Sequence, residues 1–282
     1  MMESLTLNDE QEMMAAMGLP IAFSSSKRPF HVSDDEEGDN VREEDDEEDG
    51  CELTVESTRK RKKNKKKRRK IDPDNISKYY AQRYRIFSLF DEGIQLDHES
   101  WYSTTPEEIA RHIAKKCVEN QPCIILDPFC GVGGNIIQFA LASDQVMVIA
   151  SDIDPDKVTM AKHNAKIYGV QDRISFLVND FFKLVDQIKC KIDLIFLSPP
   201  WGGPEYLTHK EYSLSMMSPD GFDIYNAARK LTKNIAYLLP RNIDNEEINS
   251  LLEPGEVVEI EKNIVNKKTK TLTAYFGMKT DE

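Results

Sequence analysis

The sequence predicts an α/β protein with a mostly parallel sheet, and two observations support this prediction. Short apolar runs of strand length alternate with helix-like stretches through the middle of the 282-residue chain. Apolar strands that alternate with helices are typical of a parallel sheet covered on both faces. Near the end, two strand-like segments flank a short lysine-rich segment, which indicates an antiparallel hairpin. We therefore expect a parallel sheet that ends in a hairpin.

Five apolar runs form the predicted parallel strands: Cys123–Asp127, Val146–Ala150, Ile174–Val178, Ile192–Leu197 and Ile235–Leu239. The helix-like stretches between them are 135–141, 155–168, 181–188 and 222–232. The hairpin comprises 257–265 and 271–276, joined by 266–270. By fold-level analogy, a parallel sheet with an antiparallel C-terminal hairpin is the layout of class I S-adenosylmethionine-dependent methyltransferases.

A small helical extension is predicted before the first strand. Aromatic residues spaced i, i+4, i+7 after Asp74 indicate a helix with one apolar face. They are Tyr80, Tyr84 and Phe87. The segment Thr105–Glu108 reads as a capping box with proline at the first helical position. We therefore divide the folded part into a helical extension, residues 71–120, and the α/β domain, residues 121–282.

The net charge of −12 hides regions of opposite sign. Twelve of the sixteen residues in 34–49 are acidic, whereas eleven of the twelve residues in 59–70 are basic. Because such runs cannot bury apolar surface, we expect 1–70 to be a disordered tail, acidic and then basic. The basic run is dense enough to bind an importin or an RNA backbone, and we expect a nuclear protein. Residues 71–282 carry a net charge of −8.

Several classes of protein are excluded by simple patterns. The first residues lack the apolar core of a signal peptide, and no run of about 18 apolar residues follows. The five cysteines form no C-x-x-C pair and no zinc-type spacing with histidine. We therefore expect a soluble intracellular protein with no metal and no disulfide. It shows no heptad pattern, so we expect a monomer.

The segment Asp127–Asn135 is the first candidate site, because it lies between a predicted strand and a predicted helix. Gly131 and Gly133 let the backbone approach a ligand above the end of the strand. Ile136 occupies the third glycine position of a dinucleotide fingerprint, so that match fails. An acidic strand end followed by a short glycine turn suits S-adenosylmethionine, which carries an ammonium group and no phosphate. A purely structural strand-to-helix turn is the alternative.

Two further strand ends carry carboxylates. Asp152 follows the second strand and is placed to accept hydrogen bonds from both ribose hydroxyls. Asp154, directly before a proline, is a candidate N-cap. Asp180 follows the third strand, where it is equally compatible with accepting from an adenine amine and with capping a helix.

The segment Ser198–Pro204 is the most specific motif in the chain. Its paired prolines fix an extended backbone and remove two N–H donors, while the preceding carbonyls remain acceptors for an exocyclic amine. Trp201 offers an indole face on which a base can stack. A buried core tryptophan is the alternative, which we disfavour because this loop has few side chains to pack around the indole.

Together these motifs resemble the trimethylguanosine synthase family, which methylates the N2 amine of a 7-methylguanosine RNA cap. The resemblance extends from Lys78 to Gly277. The matching stretches are Tyr80–Arg85, Phe129–Asn135, Ser198–Pro204, Met216–Phe222 and Leu239–Asn242.

The resemblance also implies site residues, a cofactor and substrates. Cofactor-binding residues are Thr105, Asp127, Gly131, Gly133, Asn135, Asp152 and Asp180, with S-adenosylmethionine as cofactor. Ser198 and Pro199 face the amine, Trp201 stacks on the methylated guanine, and Lys78, Tyr206 and Arg241 contact the cap triphosphate. Small nuclear and nucleolar RNAs are the implied substrates.

Two other functions remain open on the residues alone. An N2-guanine methyltransferase of internal tRNA or rRNA positions would use the same pocket but would not need a cationic base. A cap-binding module without turnover would need no cofactor pocket. A 7-methylguanine is a cation, and its contact with an indole is worth about 0.5–2 kcal/mol.

Overall fold

The computed structural model describes residues 77–118 and 123–278, in which seven strands form one sheet. The predicted charged tail, 1–70, lies outside the described residues. The strands are β1 Cys123–Asp127, β2 Val146–Asp152, β3 Ile174–Val178, β4 Leu194–Leu197, β5 Ile235–Pro240, β6 Val258–Val265 and β7 Lys268–Phe276. The helices are α1 Ser77–Tyr80, α2 Arg83–Ile86, α3 Ser100–Ser103, α4 Glu107–Cys117, α5 Gly134–Ala142, α6 Pro155–Ile167, α7 Phe181–Gln187, α8 Gly221–Arg229 and α9 Asn245–Ser250.

The sheet has the predicted mixed topology, with the strand order β3-β2-β1-β4-β5-β7-β6. The first five strands are parallel, whereas β7 is antiparallel to both β5 and β6. The order reverses between β1 and β4, so the crevice above their carboxyl ends is the expected ligand site of such a sheet.

Two apolar clusters cover the two faces of the sheet. Adjacent residues of β1 show the alternation, because Ile125 belongs to one cluster and Leu126 to the other. Helices α4, α5 and α6 pack on the Ile125 face, and α7, α8 and α9 pack on the Leu126 face. Among the described residues, no helix combines the length and the apolar character needed to cross a membrane.

The helical extension differs from its prediction. A turn at residues 81–82 separates α1 from α2, so the aromatic stripe does not lie on one continuous helix. Phe87 is buried, but Tyr80 and Tyr84 are 48% and 45% exposed. The guanidinium of Arg83 lies over both tyrosine rings, 4.6 Å and 4.2 Å from their centroids. A cation–π contact at the surface therefore replaces the predicted burial of two of the three rings.

The predicted capping box is also wrong. Pro106 is the N-cap of α4, and it makes no side-chain capping bond. The box requires Thr105 at the N-cap and Glu108 three residues later, but the helix begins at Glu107, one residue later than predicted, so Thr105 is not at the cap position. Glu107, in the first turn, accepts from the backbone N–H of Ser88, at 2.6 Å, and from the hydroxyl of Tyr168, at 2.7 Å.

A buried asparagine connects the extension to the loop after β1. Asn164 on α6 is fully buried, and its amide oxygen accepts from the backbone N–H of Gln95 at 2.8 Å. Its amide nitrogen donates to the carbonyls of Gln95 and Val132, each at 2.9 Å. One side chain thus forms hydrogen bonds with three backbone groups from two segments.

The hairpin turn is tighter than predicted. Strand β7 begins at Lys268, and only Asn266 and Lys267 separate it from β6. Both turn residues have positive φ, 50° and 58°. This is the backbone of a type I′ turn, whose twist matches that of the flanking strands.

Candidate active site

The candidate residues gather at the carboxyl ends of β1, β2, β3 and β4. Asp127 ends β1, Asp152 ends β2, Asp180 lies two residues beyond β3, and Ser198 follows β4 directly. Since β1 and β4 are the strands between which the order reverses, Asp127 and Ser198 flank the crevice.

Asp127 is a fully buried carboxyl group with one free acceptor. Its Oδ1 accepts from the backbone N–H of Phe129 at 3.1 Å, while its Oδ2 has no partner among the described residues. Burial raises the pKa of Asp127 to about 8; the Phe129 amide opposes this rise, and the nearby charge of Asp152 adds to it. A buried acceptor of this kind suits a cationic donor.

Thr105 and Asn135 form a hydrogen-bonded pair, with Asn135 in the first turn of α5, directly after the loop that Asp127 begins. The amide nitrogen of Asn135 donates to the hydroxyl of Thr105 at 3.1 Å, and both residues are buried. The amide oxygen of Asn135 has no partner in the described part of the chain. The two residues implied by the resemblance are therefore in contact, and they leave one acceptor for a ligand.

The two glycines of the first motif have different surroundings. A Cβ on Gly131 would meet nothing within 4 Å, so this side of the loop is open. A Cβ on Gly133 would lie 3.3 Å from the backbone of Ala161, and Gly133 N–H donates to the carbonyl of Cys130. Gly133, with φ of 100°, is the N-cap of α5. The structure therefore gives Gly133 a role in helix packing and in the turn, and its predicted close approach to a ligand stays a prediction.

Asp152, at the end of β2, and Asp180, after β3, differ in how many of their carboxylate oxygens accept backbone hydrogen bonds. Both oxygens of Asp152 accept backbone N–H bonds, from Gly131 at 2.9 Å and from Asp154 at 3.1 Å. Burial raises the pKa of Asp152, and these two bonds oppose the rise. Asp154 caps α6, as predicted. Asp180 caps α7 through one oxygen, so its other oxygen is not used by the cap.

The loop after β4 is anchored on the loop after β1. The hydroxyl of Ser198 donates to the carbonyl of Phe129 at 3.4 Å. Pro199 is buried and Pro200 is exposed. Neither proline has an N–H, so the Ser198 carbonyl stands beside a backbone without donors.

Trp201 is half-buried and in contact with both apolar clusters. Tyr206 packs edge-on against the indole, with 5.4 Å between ring centroids, and Tyr212 donates to the Trp201 carbonyl at 3.0 Å. The expectation that this loop lacks side chains to pack the indole is wrong, because these partners come from residues farther along the chain. The indole Nε1 is buried without a partner among the described residues.

Of the three residues implied to contact the cap triphosphate, Tyr206 packs against Trp201 and Arg241 lies beside Tyr206. Burial raises the pKa of Tyr206, and the charge of Arg241 opposes this rise, so the two side chains are neighbours. Arg241 is exposed and follows β5 at the same edge of the sheet. The side chain of Lys78 lies outside the described residues, although its helix α1 reaches the site through Tyr79, whose charge also raises the pKa of Tyr206.

Sequence reasoning missed three residues that shape the site. Asn242 donates to the carbonyl of Tyr206 at 3.2 Å, and it belongs to a motif from which only Arg241 was selected. Ile153 is 69% exposed between two aspartates at a strand end, and this position makes it a candidate apolar contact for a ligand. Tyr212 has no local signal, since its partner Trp201 is eleven residues away.

These residues fit S-adenosylmethionine. The unpartnered acceptors, Asp127 Oδ2 and Asn135 Oδ1, are both buried, and the cofactor carries an ammonium group and hydroxyls as donors. Asp152 presents a second carboxylate at the adjacent strand end. The open side of Gly131 leaves space next to them.

Comparison with known proteins identifies relatives of defined activity. A family model described as RNA cap guanine-N2 methyltransferase matches residues 123–279. The chain is 42% identical over 213 residues to a trimethylguanosine synthase of Schizosaccharomyces pombe, a match that covers 73% of this chain and 88% of the relative. It is 40% identical over 180 residues to a trimethylguanosine synthase of Saccharomyces cerevisiae, covering 61% of this chain and 56% of the relative.

A solved structure supports the fold. A protein of Porphyromonas gingivalis W83 assigned as a methyltransferase superposes with a TM-score of 0.54 at 14% identity, covering 71% of this chain and 48% of the other. At this level of identity the likeness concerns the fold alone. It confirms the predicted class I methyltransferase fold.

Proposed function

Because the chain belongs to the family of RNA cap guanine-N2 methyltransferases, we propose that it converts a 7-methylguanosine cap to a 2,2,7-trimethylguanosine cap. It transfers two methyl groups in succession to the exocyclic N2 amine of the cap guanine. S-adenosylmethionine supplies each methyl group from a sulfonium centre that is already activated for transfer. The observation that carries the proposal is the position of Ser198–Trp201, directly across the strand-order reversal from the buried carboxyl of Asp127.

Recognition of the cap is assigned to Trp201 and its neighbours. The 7-methylguanine is a cation, and a cation over an indole gains about 0.5–2 kcal/mol beyond its buried area. Tyr206 supports the indole edge, and Arg241 stands beside Tyr206 where the triphosphate leaves the base. The pocket therefore prefers methylated to unmethylated guanosine.

Orientation of the amine is assigned to Ser198 and Pro199. The Ser198 carbonyl can accept a hydrogen bond from the N2 amine, which directs the nitrogen lone pair away from the loop and toward the cofactor side of the crevice. Because the methyl donor is activated, positioning supplies most of the rate, and a strong base is not required. The anchor from the Ser198 hydroxyl to the Phe129 carbonyl fixes this loop against the loop that holds the cofactor.

The two alternative functions are not favoured. Relatives named trimethylguanosine synthase and a cap guanine-N2 family model favour a cap substrate over internal tRNA or rRNA guanines. A cap reader without turnover would have no use for the buried, unpartnered acceptors of Asp127 and Asn135.

Mass spectrometry tests the reaction. The purified chain is incubated with S-adenosylmethionine and either 7-methylguanosine triphosphate cap analogue or its unmethylated counterpart. We expect a gain of two methyl masses on the 7-methylated analogue alone. Retained cap binding with no mass gain would support the reader alternative, and equal gain on both analogues would support a guanine methyltransferase without cap selectivity.

A pair of tryptophan variants sharpens this test. Trp201→Leu should reduce the preference for the 7-methylated analogue, whereas Trp101→Leu removes the chain's other indole from a cluster with Tyr80 and Phe90. The Trp101 variant is therefore a control for the general effect of losing an indole. Equal loss of preference in both variants would contradict the assignment of Trp201.

The substrates and location within the cell follow as further proposals. The family resemblance supports small nuclear and nucleolar RNAs as the capped substrates. The lack of a heptad pattern supports action of the chain as a monomer. The basic run 59–70 supports import into the nucleus through an importin. Replacing its lysines and arginines by glutamine should leave a fluorescent fusion in the cytoplasm; unchanged nuclear accumulation would contradict this proposal.

A further inference from the structure

The turn of the C-terminal hairpin projects past the edge of the sheet that carries the active site. Pro240, at the end of β5, pairs with Thr271, whereas β7 begins three residues earlier at Lys268. A strand rises about 3.3 Å per residue, so the turn at Asn266 and Lys267 lies more than about 10 Å beyond that pair. Because β5 is parallel to β4, this edge is the one at which Ser198 lies.

Two arginines from distant parts of the chain contact this hairpin, one at the turn and one on β7 beside it. Arg241 donates to the carbonyl of Thr269 at 3.4 Å. With the Asn266 amide oriented so that its oxygen faces the guanidinium, Arg85 on α2 donates two hydrogen bonds to it, each at 3.1 Å. The turn therefore joins the helical extension to the proposed triphosphate side of the site.

Five cations lie on this turn, on the strand that follows it or on the two arginines that contact them, and we call this group the basic strip. It consists of Arg85, Arg241, Lys267, Lys268 and Lys270, all of them exposed. In residues 77–118 and 123–278, no carboxylate lies within ion-pair distance of any member of the strip.

Acidic partners are available elsewhere on the same hairpin. Glu259 and Glu261 on β6 both pair with Lys116 of α4. The acidic residues of the hairpin thus form ion pairs far from the turn, and the lysines at the turn have no such pairs among the described residues. Residues 71–282 as a whole carry a net charge of −8. Five cations concentrated against the overall charge favour an anionic partner.

We propose that the basic strip binds the phosphate backbone of the RNA nucleotides that follow the cap, an inference that rests on the proposed function. Arg241 stands next to Tyr206 and so adjoins the cap pocket, and the strip continues from there over the hairpin turn to Arg85. Backbone contacts add affinity and fix orientation but carry no sequence information. The strip therefore accepts capped RNAs of different sequence.

Binding of two ligands by the full chain tests the inference. Fluorescence anisotropy compares a 7-methylguanosine-capped single-stranded RNA of about 12 nucleotides with the capped dinucleotide, over roughly 50–200 mM salt. The variants are Arg85→Gln and Lys267→Gly. The second creates an Asn-Gly turn that suits the positive φ of residue 267, so it removes a charge without straining the hairpin. Lys166→Gln, an exposed lysine in the last turn of α6 at the opposite edge of the sheet, is the matched control.

Each strip variant should bind the longer RNA roughly fivefold more weakly at the lowest salt. The negative slope of log K against log[salt] should become shallower by about 0.7 for each charge removed. Binding of the dinucleotide and all binding by the control variant should not change. Equal weakening on both ligands would place these residues in the cap pocket, and unchanged binding of the longer RNA would show that the strip does not bind it; either result overturns the inference. Methyl transfer to the dinucleotide is measured separately, so failure of the proposed reaction is distinguished from failure of the strip.

Discussion

The buried carboxyl of Asp127 makes cofactor binding depend on pH. Burial raises its pKa to about 8, so in the cofactor-free protein at pH 7 only about one molecule in eleven carries the carboxylate. An ammonium ligand requires the charged form. Between about pH 5.5 and 7 the ligand's own α-amino group stays largely protonated, because its ordinary pKa is about 7.7–8.0.

The expected magnitude follows from this titration. Each pH unit below the pKa lowers the carboxylate fraction about tenfold, so affinity for S-adenosylmethionine should increase roughly 30-fold from about pH 5.5 to 7. That corresponds to about 2 kcal/mol, with close to one proton released per cofactor bound. Asp127→Asn has no proton to release, so its affinity should be low and nearly independent of pH over this range.

Isothermal titration calorimetry in two buffers of different ionisation enthalpy measures both quantities. Proton release near one in the wild type and near zero in Asp127→Asn would support the reasoning. Equal wild-type affinity across the range, with heats that do not depend on the buffer, would show that Asp127 is already ionised or does not meet the ammonium, and would refute it.

The stability of the cofactor-free chain supplies a second measurement of the same pKa. A carboxyl whose pKa is raised on folding contributes stability that is complete below its unfolded value, near pH 4, and is lost as the pH increases through about 8. The free energy of unfolding should therefore decrease with increasing pH in the wild type relative to Asp127→Asn. A difference that does not change with pH would contradict the assigned pKa.

Two further changes give direct outcomes. Trp201→Leu should reduce the ratio of kcat/KM for 7-methylated over unmethylated cap analogue by roughly 2- to 30-fold, the loss of about 0.5–2 kcal/mol of cation–π energy, and an unchanged ratio would remove the indole from cap selection. Gly133→Ala should lower the free energy of unfolding by more than Gly169→Ala, as measured by urea denaturation. Both positions have positive φ, which costs about 1–2 kcal/mol for alanine, but only Gly133 would place its Cβ against Ala161. Equal destabilisation would mean that α5 and α6 separate without cost.

The parallel core was predictable because each of its strands is a short, mostly apolar run. The strands β1 and β3 have the predicted bounds, and Asp154 caps its helix as the following proline indicated. The break between α1 and α2 was not predictable from spacing, since the stacking of Arg83 between two tyrosines is a surface contact that leaves no mark in the hydrophobic pattern.

Within the site, the strand ends were predictable and the long-range contacts were not. The carboxyl ends of parallel strands must share an edge, which brings Asp127, Asp152 and Ser198 together from sequence alone. Trp201 obtains its packing from Tyr206 and Tyr212 after the chain folds back, and no local pattern encodes that return. Similarly, Glu107 accepts from the hydroxyl of Tyr168 across 61 positions, a contact that no local pattern encodes.

The shared hydrogen bonds of Asn164 make the cofactor loop and the helical extension one cooperative unit. The side chain joins Gln95, which precedes α3 in the helical extension, to Val132, in the loop after β1. If either segment opens locally, a fully buried amide and its backbone partners lose their hydrogen bonds, at about 1–3 kcal/mol for each unsatisfied group. Amide hydrogen exchange at the two segments should therefore share one opening free energy. A cofactor that orders the loop after β1 should also slow exchange around Gln95.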